Sequence, residues 1–505
     1  LLLLAAVLAG CGHLPALESR PMSTAIEVPL GQPLSDAVAA VVATRPGLTG
    51  VHLLREGLGA FAARMALIDA ASASLDVQYY IWRNDVTGRL LLDALRRAAD
   101  RGVRVRLLLD DNNTAGLDPT LAALDAHPRI EVRLFNPFRQ RSFRTLGYLT
   151  EFGRLNRRMH NKSLTGDGVA TILGGRNVGD EYFEATEDIG FVDLDVLVVG
   201  PVVADVATSF DDYWRSDSAY AAASFLPAAT DEGLEATQAL GRTVMAEPEA
   251  VRYVAAARDA PVIRDLRAQS LSFEWAPARL VVDDPAKGLG KADPGSLLLG
   301  KLDAAIGAPV TRELAIVSPY FVPRREGAAL LEGYARRGVR VRVLTNSLEA
   351  TDVVAVHSGY ARHRKALIQA GVGIHELKRT VGRSQAASMT GFSGSSGSSL
   401  HAKTFAVDGR HIFVGSFNFD PRSALLNTEM GLVIDSGKLA DVLSAAFDSV
   451  IPAAAYEVGL APDGKLEWRE RSGGGVVRHD HEPGTGVMRR IAVKLMSVLP
   501  IEGLL

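Results

Sequence analysis

Two stretches of this chain hold side chains that could break and make a phosphoester bond. From Met159 the sequence reads MHNKSLTGDGVATILGGRNVGDEYF, and from Leu400 it reads LHAKTFAVDGRHIFVGSFNFDPRSALLNTE. His160, Lys162, Asp167, Gly174 and Asn177 recur 241 positions later as His401, Lys403, Asp408, Gly415 and Asn418. An imidazole serves as nucleophile or proton donor near neutral pH, an ammonium brings charge and three donors, and an amide adds two more. Together they suit the phosphorus and the nonbridging oxygens of a phosphodiester. Two copies of half a site imply one complete site between them.

The elements around each copy follow from spacing. Side chains two apart share one face of a strand, so His160 with Lys162, and His401 with Lys403, can enter one cleft. Asp167-Gly168 and Asp408-Gly409 each separate two apolar runs, the strongest short signal of a β-hairpin. The second run of each hairpin returns its asparagine, Asn177 or Asn418, to the neighbourhood of the histidine. Upstream, Leu75–Ile81 reads as a strand, Gly88–Asp100 as a helix and Val103–Leu109 as a strand. The second copy repeats the order at Leu314–Pro319, Gly327–Arg337 and Val339–Leu344, with RGVRVR in both. Strand, helix, strand implies parallel pairing through a crossover. The expected fold is therefore α/β, two similar halves related by a pseudo-dyad, each a mixed sheet flanked by helices. Boundaries fall at 1–11 (an apolar leader), 12–50 (linker), 51–215 (first half), 216–298 (connector), 299–450 (second half) and 451–505 (tail). Leu53–Ala73 is expected to be an amphipathic helix.

The doubled HxKxxxxDxxxxxxGxxN pattern resembles the phospholipase D superfamily. The longer runs LDVQYYIW, RGVRVRLLLDDNNT, IEVRLFNPF, RLNRRMHNKS, DDPAKG, GSFNFDPRS and LLNTEMG are similar to bacterial cardiolipin synthases of the C type. The resemblance implies a metal-independent phosphatidyltransferase without cofactor, working through a phosphohistidine. His160 is then the nucleophile and His401 the acid and base, although so symmetric a site could run either way. Lys162, Lys403, Asn177 and Asn418 would bind the phosphate oxygens. The motif counts Asp167 and Asp408 among its catalytic residues, yet Asp before Gly is also favoured at a turn for local reasons. Glu429 matches the position the family uses to orient a histidine. In the first half counting lands on Asp188, whereas the following strand points to Asp193. Expected substrates are phosphatidylglycerol, with phosphatidylethanolamine as a second candidate donor, acting with or without an accessory protein. A hydrolytic phospholipase D and a non-catalytic lipoprotein that binds anionic lipid are the alternatives.

Composition narrows the classes. With 505 residues, 47% hydrophobic and 22% charged, the chain can bury two domain-sized cores. A net charge of −3 argues against a nucleic-acid partner, which needs a basic face. LLLLAAVLAGCG looks like the end of a bacterial lipoprotein signal, with Cys11 as the lipidated residue. Cys11 is the only cysteine, so the chain holds no internal disulfide. Attachment to a membrane surface of the bacterial cell envelope is the expectation. Between Phe135 and Arg158, arginines (Arg139, Arg141, Arg144, Arg154, Arg157, Arg158) interleave with Phe138, Phe143, Tyr148 and Phe152. That pattern fits an anionic headgroup, a nucleic-acid strand or an ordinary solvated loop. Thr380–Ser399, rich in Ser and Gly, reads as a flap or linker. His357 and His363 lie on a helix whose face is solvated or lines the cleft. In the tail, Val487, Ile491, Leu495 and Val498 form one stripe, expected to dock on the protein itself or to lie on a bilayer.

Overall fold

The computed structural model describes residues 14–17, 20–26, 31–141, 144–186, 189–379, 397–499 and 502–504. Cys11, Phe143, Asp188 and most of the Ser/Gly-rich stretch after Thr380 lie outside them.

The described chain forms two α/β halves, each built on a mixed sheet. The first sheet runs in the order Glu274–Ala276, Thr49–Leu54, Asp195–Val199, Ala170–Gly174, Ser163–Gly166, Ser74–Ile81, Arg104–Asn113, Ile130–Phe135, Ala219–Ala221. The second runs Ala278–Val282, Met430–Ile434, His411–Gly415, Lys403–Val407, Glu313–Val317, Arg340–Asn346, Gly373–Leu377, then Ala455–Leu460, Leu466–Ser472 and Gly475–His479. Three central strands of each sheet are parallel, as the crossovers require: Ser74–Ile81 with Arg104–Asn113 and Ile130–Phe135, and Glu313–Val317 with Arg340–Asn346 and Gly373–Leu377. Each catalytic-motif hairpin pairs antiparallel onto the edge of this parallel core.

Both hairpins turn at Asp-Gly with positive φ at both central residues, 50° and 64° in the first and 54° and 63° in the second. This is the primed turn whose twist suits tight hairpins. The glycines that end the returning strands have a steric reason. A Cβ on Gly174 would lie 2.6 Å from the Asp195 Cα, and one on Gly415 would lie 2.4 Å from the Met430 carbonyl oxygen.

Two expectations change. Leu53 and Leu54 belong to a strand, Thr49–Leu54, and the helix that follows is Gly57–Ala70. That helix is not amphipathic. Ala60, Phe61, Ala62, Ala63, Arg64 and Ile68 are all buried, because helices of the connector cover its outer side. The connector itself holds three helices, Asp231–Val244, Pro248–Arg258 and Pro261–Arg267, and then two strands separated by Pro277. Glu274–Ala276 joins the first sheet and Ala278–Val282 the second, so the connector stitches the sheets together. A shared core continues the union: Leu173, Val192, Leu194 and Val196 of the first half cluster with Leu400, Ala402, Val414 and Met430 of the second.

Candidate active site

The two histidines sit just ahead of the first strand of their hairpins, where the backbone leaves one half and reaches the other. The His160 amide donates to the Thr428 carbonyl at 2.9 Å, and the Thr428 amide donates to the Arg158 carbonyl at 2.9 Å. The second half mirrors this. Gly397–Leu400 pairs in parallel with Ile189–Val192, and the His401 amide donates to the Val192 carbonyl at 2.8 Å.

Thr428 and Val192 immediately precede Glu429 and Asp193, so each exchange delivers a carboxylate to the other half's histidine. His160 Nδ1 lies 2.8 Å from Glu429 Oε2, and His401 Nδ1 lies 2.5 Å from Asp193 Oδ2. The two carboxylates are equivalent in the fold. Gly174 pairs with Asp195 and Gly415 with Gly431, which puts Asp193 and Glu429 two residues ahead of matching positions. The first half has five more residues between the two strands, and this insertion is why counting from Asn177 lands on Asp188. The sequence left the first histidine's orienting group open within its own half; in the structure that group, Glu429, comes from the other half.

Local substitutions fit each carboxylate to its place. Asp193 is one carbon shorter than Glu429 and crowds Gly175, where a Cβ would sit 2.1 Å from Asp193 Oδ1. The equivalent of Gly175 is Ser416, whose hydroxyl donates to Glu429 Oε2. Arg176 holds the Asp193 carbonyl at 2.8 Å. The DDPAKG run, which sequence reasoning did not assign a role, supports Glu429 from behind. Asp283 Oδ2 accepts from the Glu429 amide at 2.9 Å and from Lys287 Nζ at 2.8 Å, and Lys287 also donates to the Ser423 carbonyl at 2.8 Å.

Both lysines are buried beside the histidines. Lys162 Nζ donates to the His160 carbonyl, and Lys403 Nζ lies 2.8 Å from His401 Nδ1. Aromatic rings wall the pair: Tyr80 packs edge-on against His160 at 4.8 Å, and Tyr182 and Phe191 lie 5.1 Å from His401. Asn177 Oδ1 accepts from the Ile81 amide at 3.2 Å while its Nδ2 has no hydrogen-bond partner among the described residues. Asn418 likewise keeps an amide oxygen unpaired, and Glu429 keeps Oε1 unpaired. Buried polar atoms without partners are costly, so a cluster of them marks where a polar ligand belongs.

Burial and mutual charge shape the titration. Burial first, then Lys162 and Lys403, hold His160 well below the ordinary imidazole range. Burial and Lys403 pull His401 to about 4 against the opposing pull of Asp193. Burial drives Lys162 well below the usual lysine range and Lys403 to about 8. The carboxylates part company. Burial pushes Glu429 up to about 7, only partly countered by Lys162. Burial would raise Asp193 too, but the charges of His401, Lys403 and Arg176 outweigh it and keep the carboxyl well below its usual range. Asp420, which caps the helix Pro421–Leu425 through the Ser423 amide, is raised by burial to about 7.

Asp167 and Asp408 stand apart. They occupy the hairpin turns, roughly 16 Å along the strand from the lysines of their motifs. Asp167 accepts from the amides of Ser72, Ala73 and Ser74 and from the Ser72 hydroxyl at 2.8–3.2 Å. Asp408 does the same with Thr311, Arg312 and Glu313. Each pins its hairpin to the start of the neighbouring parallel strand and touches no histidine, which is the local turn role that Asp before Gly also suggests.

Two other expectations are corrected by ion pairs. The arginines of the segment after Phe135 are mostly spent inside the fold, Arg158 on Asp110, Arg141 on Asp111 and Asp118, and Arg154 and Arg139 on Glu151. His357 and His363 are neither on a solvated face nor in the cleft. They hold Glu482 at 2.9 Å and Glu502 at 2.6 Å, clamping the tail onto the helix Val354–Gln369.

Comparison with known proteins adds the lineage. A family model described as cardiolipin synthase, PLD-like domain matches residues 65–214 and 305–451. The chain is 49% identical over 472 residues to cardiolipin synthase C of Escherichia coli (strain K12), covering 94% of this chain and 99% of that protein. It is 28% identical over 401 residues to cardiolipin synthase A of Pseudomonas entomophila (strain L48), covering 79% and 68%. The crystal structure of a phosphatidylserine synthase from Haemophilus influenzae Rd KW20 superimposes with a TM-score of 0.56 at 13% identity, over 93% of this chain and all of that one, which is a likeness of fold. With both halves matched and the reciprocal histidine pairs built between them, the chain belongs to the cardiolipin synthase family of duplicated phospholipase D-like proteins.

Proposed function

We propose that this protein is a phosphatidyltransferase that makes cardiolipin by moving a phosphatidyl group onto phosphatidylglycerol. The observation that carries the reading is the crossed pairing of two imidazoles with two carboxylates beside two buried lysines. With each Nδ1 held by a carboxylate, Nε2 is the edge presented to phosphorus. In the first step the His160 Nε2 lone pair attacks the phosphorus of the donor lipid. The P–N bond forms, the bond to the headgroup oxygen breaks, and the leaving alkoxide takes a proton from His401. In the second step His401 takes the proton of a phosphatidylglycerol hydroxyl, whose oxygen attacks phosphorus and releases His160. Lys162, Lys403, Asn177 and Asn418 stabilise charge on the nonbridging oxygens as it builds.

The electrostatics favour this division of roles. Burial first and then the lysine charges hold both imidazoles neutral, and a phosphodiester between the lysines offsets the second of these. Asp193, ionised throughout, then favours an imidazolium at His401, whereas Glu429, near 7, supports one at His160 less well. The donor is taken to be phosphatidylglycerol, with phosphatidylethanolamine as the other candidate, and Cys11 is taken as a lipid anchor in the bacterial envelope.

The test is a product assay on purified protein in vesicles containing both lipids, with His160→Ala and His401→Ala as controls. Cardiolipin that disappears in both variants supports the transferase. Phosphatidic acid alone would make the protein a hydrolase, and unchanged lipids that stay unchanged when a cell-envelope extract is added would overturn the enzymatic reading.

A further inference from the structure

The tail helix Val487–Met496 is inside out for a helix that packs on its own protein. Its apolar stripe faces solvent, with Val487 61%, Leu495 63% and Val498, just beyond the helix, 74% exposed, and Ile491 exposed as well. Of the two expectations for this stripe, docking on the protein is the one this exposure sets aside. The helix is held by its opposite side: Val493 is buried, and Arg489 donates to the Thr351 carbonyl at 3.0 Å. Beyond it, Arg362 donates to the Ser497 and Leu499 carbonyls and pairs with Glu502. The outward orientation is thus fixed by the fold.

Both ends of this element lie at the mouth of the histidine cleft. Thr351 precedes Asp352, which accepts from the Tyr320 hydroxyl at 2.7 Å, and Tyr320 is within electrostatic reach of Tyr80 and Tyr182, the rings that wall His160 and His401. At the other end, the turn Glu502–Leu504 packs on the helix Pro421–Leu425, whose Arg422 crosses to Asn156 of the first half at 2.7 Å. The first half adds exposed apolar side chains on the same rim. Leu149 is 83% exposed one residue after Tyr148, and Phe152 follows on the short helix that leads to Asn156. Leu425, exposed, sits between them and the tail, its carbonyl held by Arg157.

We propose that this rim seats in the surface layer of an anionic bilayer, with the tail helix lying in the interface so that lipid enters the cleft without leaving the membrane. Charge selects this occupant. The helix carries no acidic residue, and Arg490 and Lys494 border the exposed stripe while Arg489 is turned to Thr351, in a chain whose net charge is −3. Exposed apolar side chains flanked by cations, without counter-ions on the same element, are the pattern of an interfacial helix. Among the described residues no helix is long and apolar enough to cross a membrane, so seating rather than spanning is what this surface offers. The proposal rests on the phospholipid reading for the choice of lipid only.

The experiment uses the full chain carrying His160→Ala and Cys11→Ser, so that neither lipid turnover nor an anchor at Cys11 plays a part. Binding to vesicles of phosphatidylglycerol and phosphatidylcholine is measured by flotation for this protein and for the same protein with Ile491→Glu and Leu495→Glu. In parallel, a spin label on Met488→Cys, with Cys11→Ser removing the other thiol, reports depth from its accessibility to oxygen. The expected result is at least a tenfold fall in the bound fraction for the double variant, and a label that moves into the acyl region on wild-type vesicles. With His160 restored, the double variant keeps its turnover of monomeric short-chain phosphatidylglycerol while losing tenfold or more on vesicles. Unchanged flotation with a label that stays aqueous would overturn the proposal. So would loss of a concentration-dependent dimer in the double variant without any change in vesicle binding, which would make the face a contact between two copies. Failure of all lipid turnover would sink the catalytic reading alone, since flotation and label depth are read without it.

Discussion

Because the two orienting carboxylates differ in charge state, replacing them should give different pH profiles. Asp193 is ionised across the working range, 2.5 Å from His401 Nδ1. In Asp193→Asn the amide can turn its NH2 toward that nitrogen and force the ring proton to Nε2, the wrong tautomer for a base. The same change beside the histidine of a serine protease triad lowers the rate by roughly 10⁴, about 5 kcal/mol in the barrier. Glu429 titrates near 7, so at pH 6 about nine molecules in ten already hold a neutral carboxyl and at pH 8 about one in ten does. Glu429→Gln imitates the neutral form. Its defect should therefore be smaller, on the order of 10²-fold near pH 7, and should grow about tenfold between pH 6 and pH 8.

The assay is kcat/KM for monomeric short-chain phosphatidylglycerol from pH 5.5 to 8.5, which reports ionisations of the free enzyme. The wild-type to Asp193→Asn ratio should be flat over that range, while the wild-type to Glu429→Gln ratio climbs with pH and levels off above 8. Nitrogen NMR of the eleven histidines adds a check on the crossed pairing: Glu429→Gln should move the resonance that His160→Ala deletes and leave that of His401 in place. Parallel profiles for the two variants would refute the charge argument. A shift confined to His401 in Glu429→Gln would refute the crossed geometry.

Two further predictions follow from the same site. Asp167→Asn should lower stability by about 1–3 kcal/mol, because a buried carboxylate that accepts four hydrogen bonds is replaced by a neutral amide; Asp408→Asn should lower it less, its carboxylate being more exposed. Denaturant midpoints should fall while kcat stays within about tenfold of wild type, far from the loss expected at a histidine. Vanadate should bind with proton uptake, since Lys162, Lys403 and both histidines are held low by burial and by one another, and an anion among them raises all four. Calorimetric enthalpies at pH 7.5 should depend on the buffer by about half a proton or more, and affinity should weaken as pH rises toward 9; buffer-independent enthalpies would contradict this.

The chemistry was legible in the sequence because it is local: His160 with Lys162, the Asp-Gly turn and the returning asparagine lie within one hairpin, and the second copy repeats their spacing. The crossover strands were legible through RGVRVR and its flanking periodicity. What the sequence hid depends on contacts between distant segments. Nothing in the spacing of Glu429 or Asp193 says which histidine it faces, because the answer comes from Thr428 and Val192 pairing across the pseudo-dyad. The five-residue insertion before Asp193 breaks the frame on which counting relies. The tail and the start of the first half mislead for a related reason: the strand that holds Leu53 and Leu54 is completed only by Asp195–Val199, and the stripe of the tail helix reads the same whether it faces protein or solvent.

Crossed pairing also explains why the motif is duplicated and not simply used twice. Each half contributes a histidine that lacks its orienting carboxylate and a carboxylate whose histidine lies elsewhere, so neither half alone presents a histidine with a fixed tautomer. Fusing the halves in one chain frees the two copies to diverge. Glycine at 175 makes room for the shorter aspartate, which His401, Lys403 and Arg176 keep ionised, whereas Ser416 and Asp283 hold the longer glutamate, whose burial only Lys162 and its hydrogen bonds partly offset. A symmetric site would give both imidazoles the same proton affinity and therefore the same role. Unequal carboxylates separate them, and two-step transfer needs that separation: one ring neutral enough to attack, the other able to hold a proton until the leaving oxygen takes it.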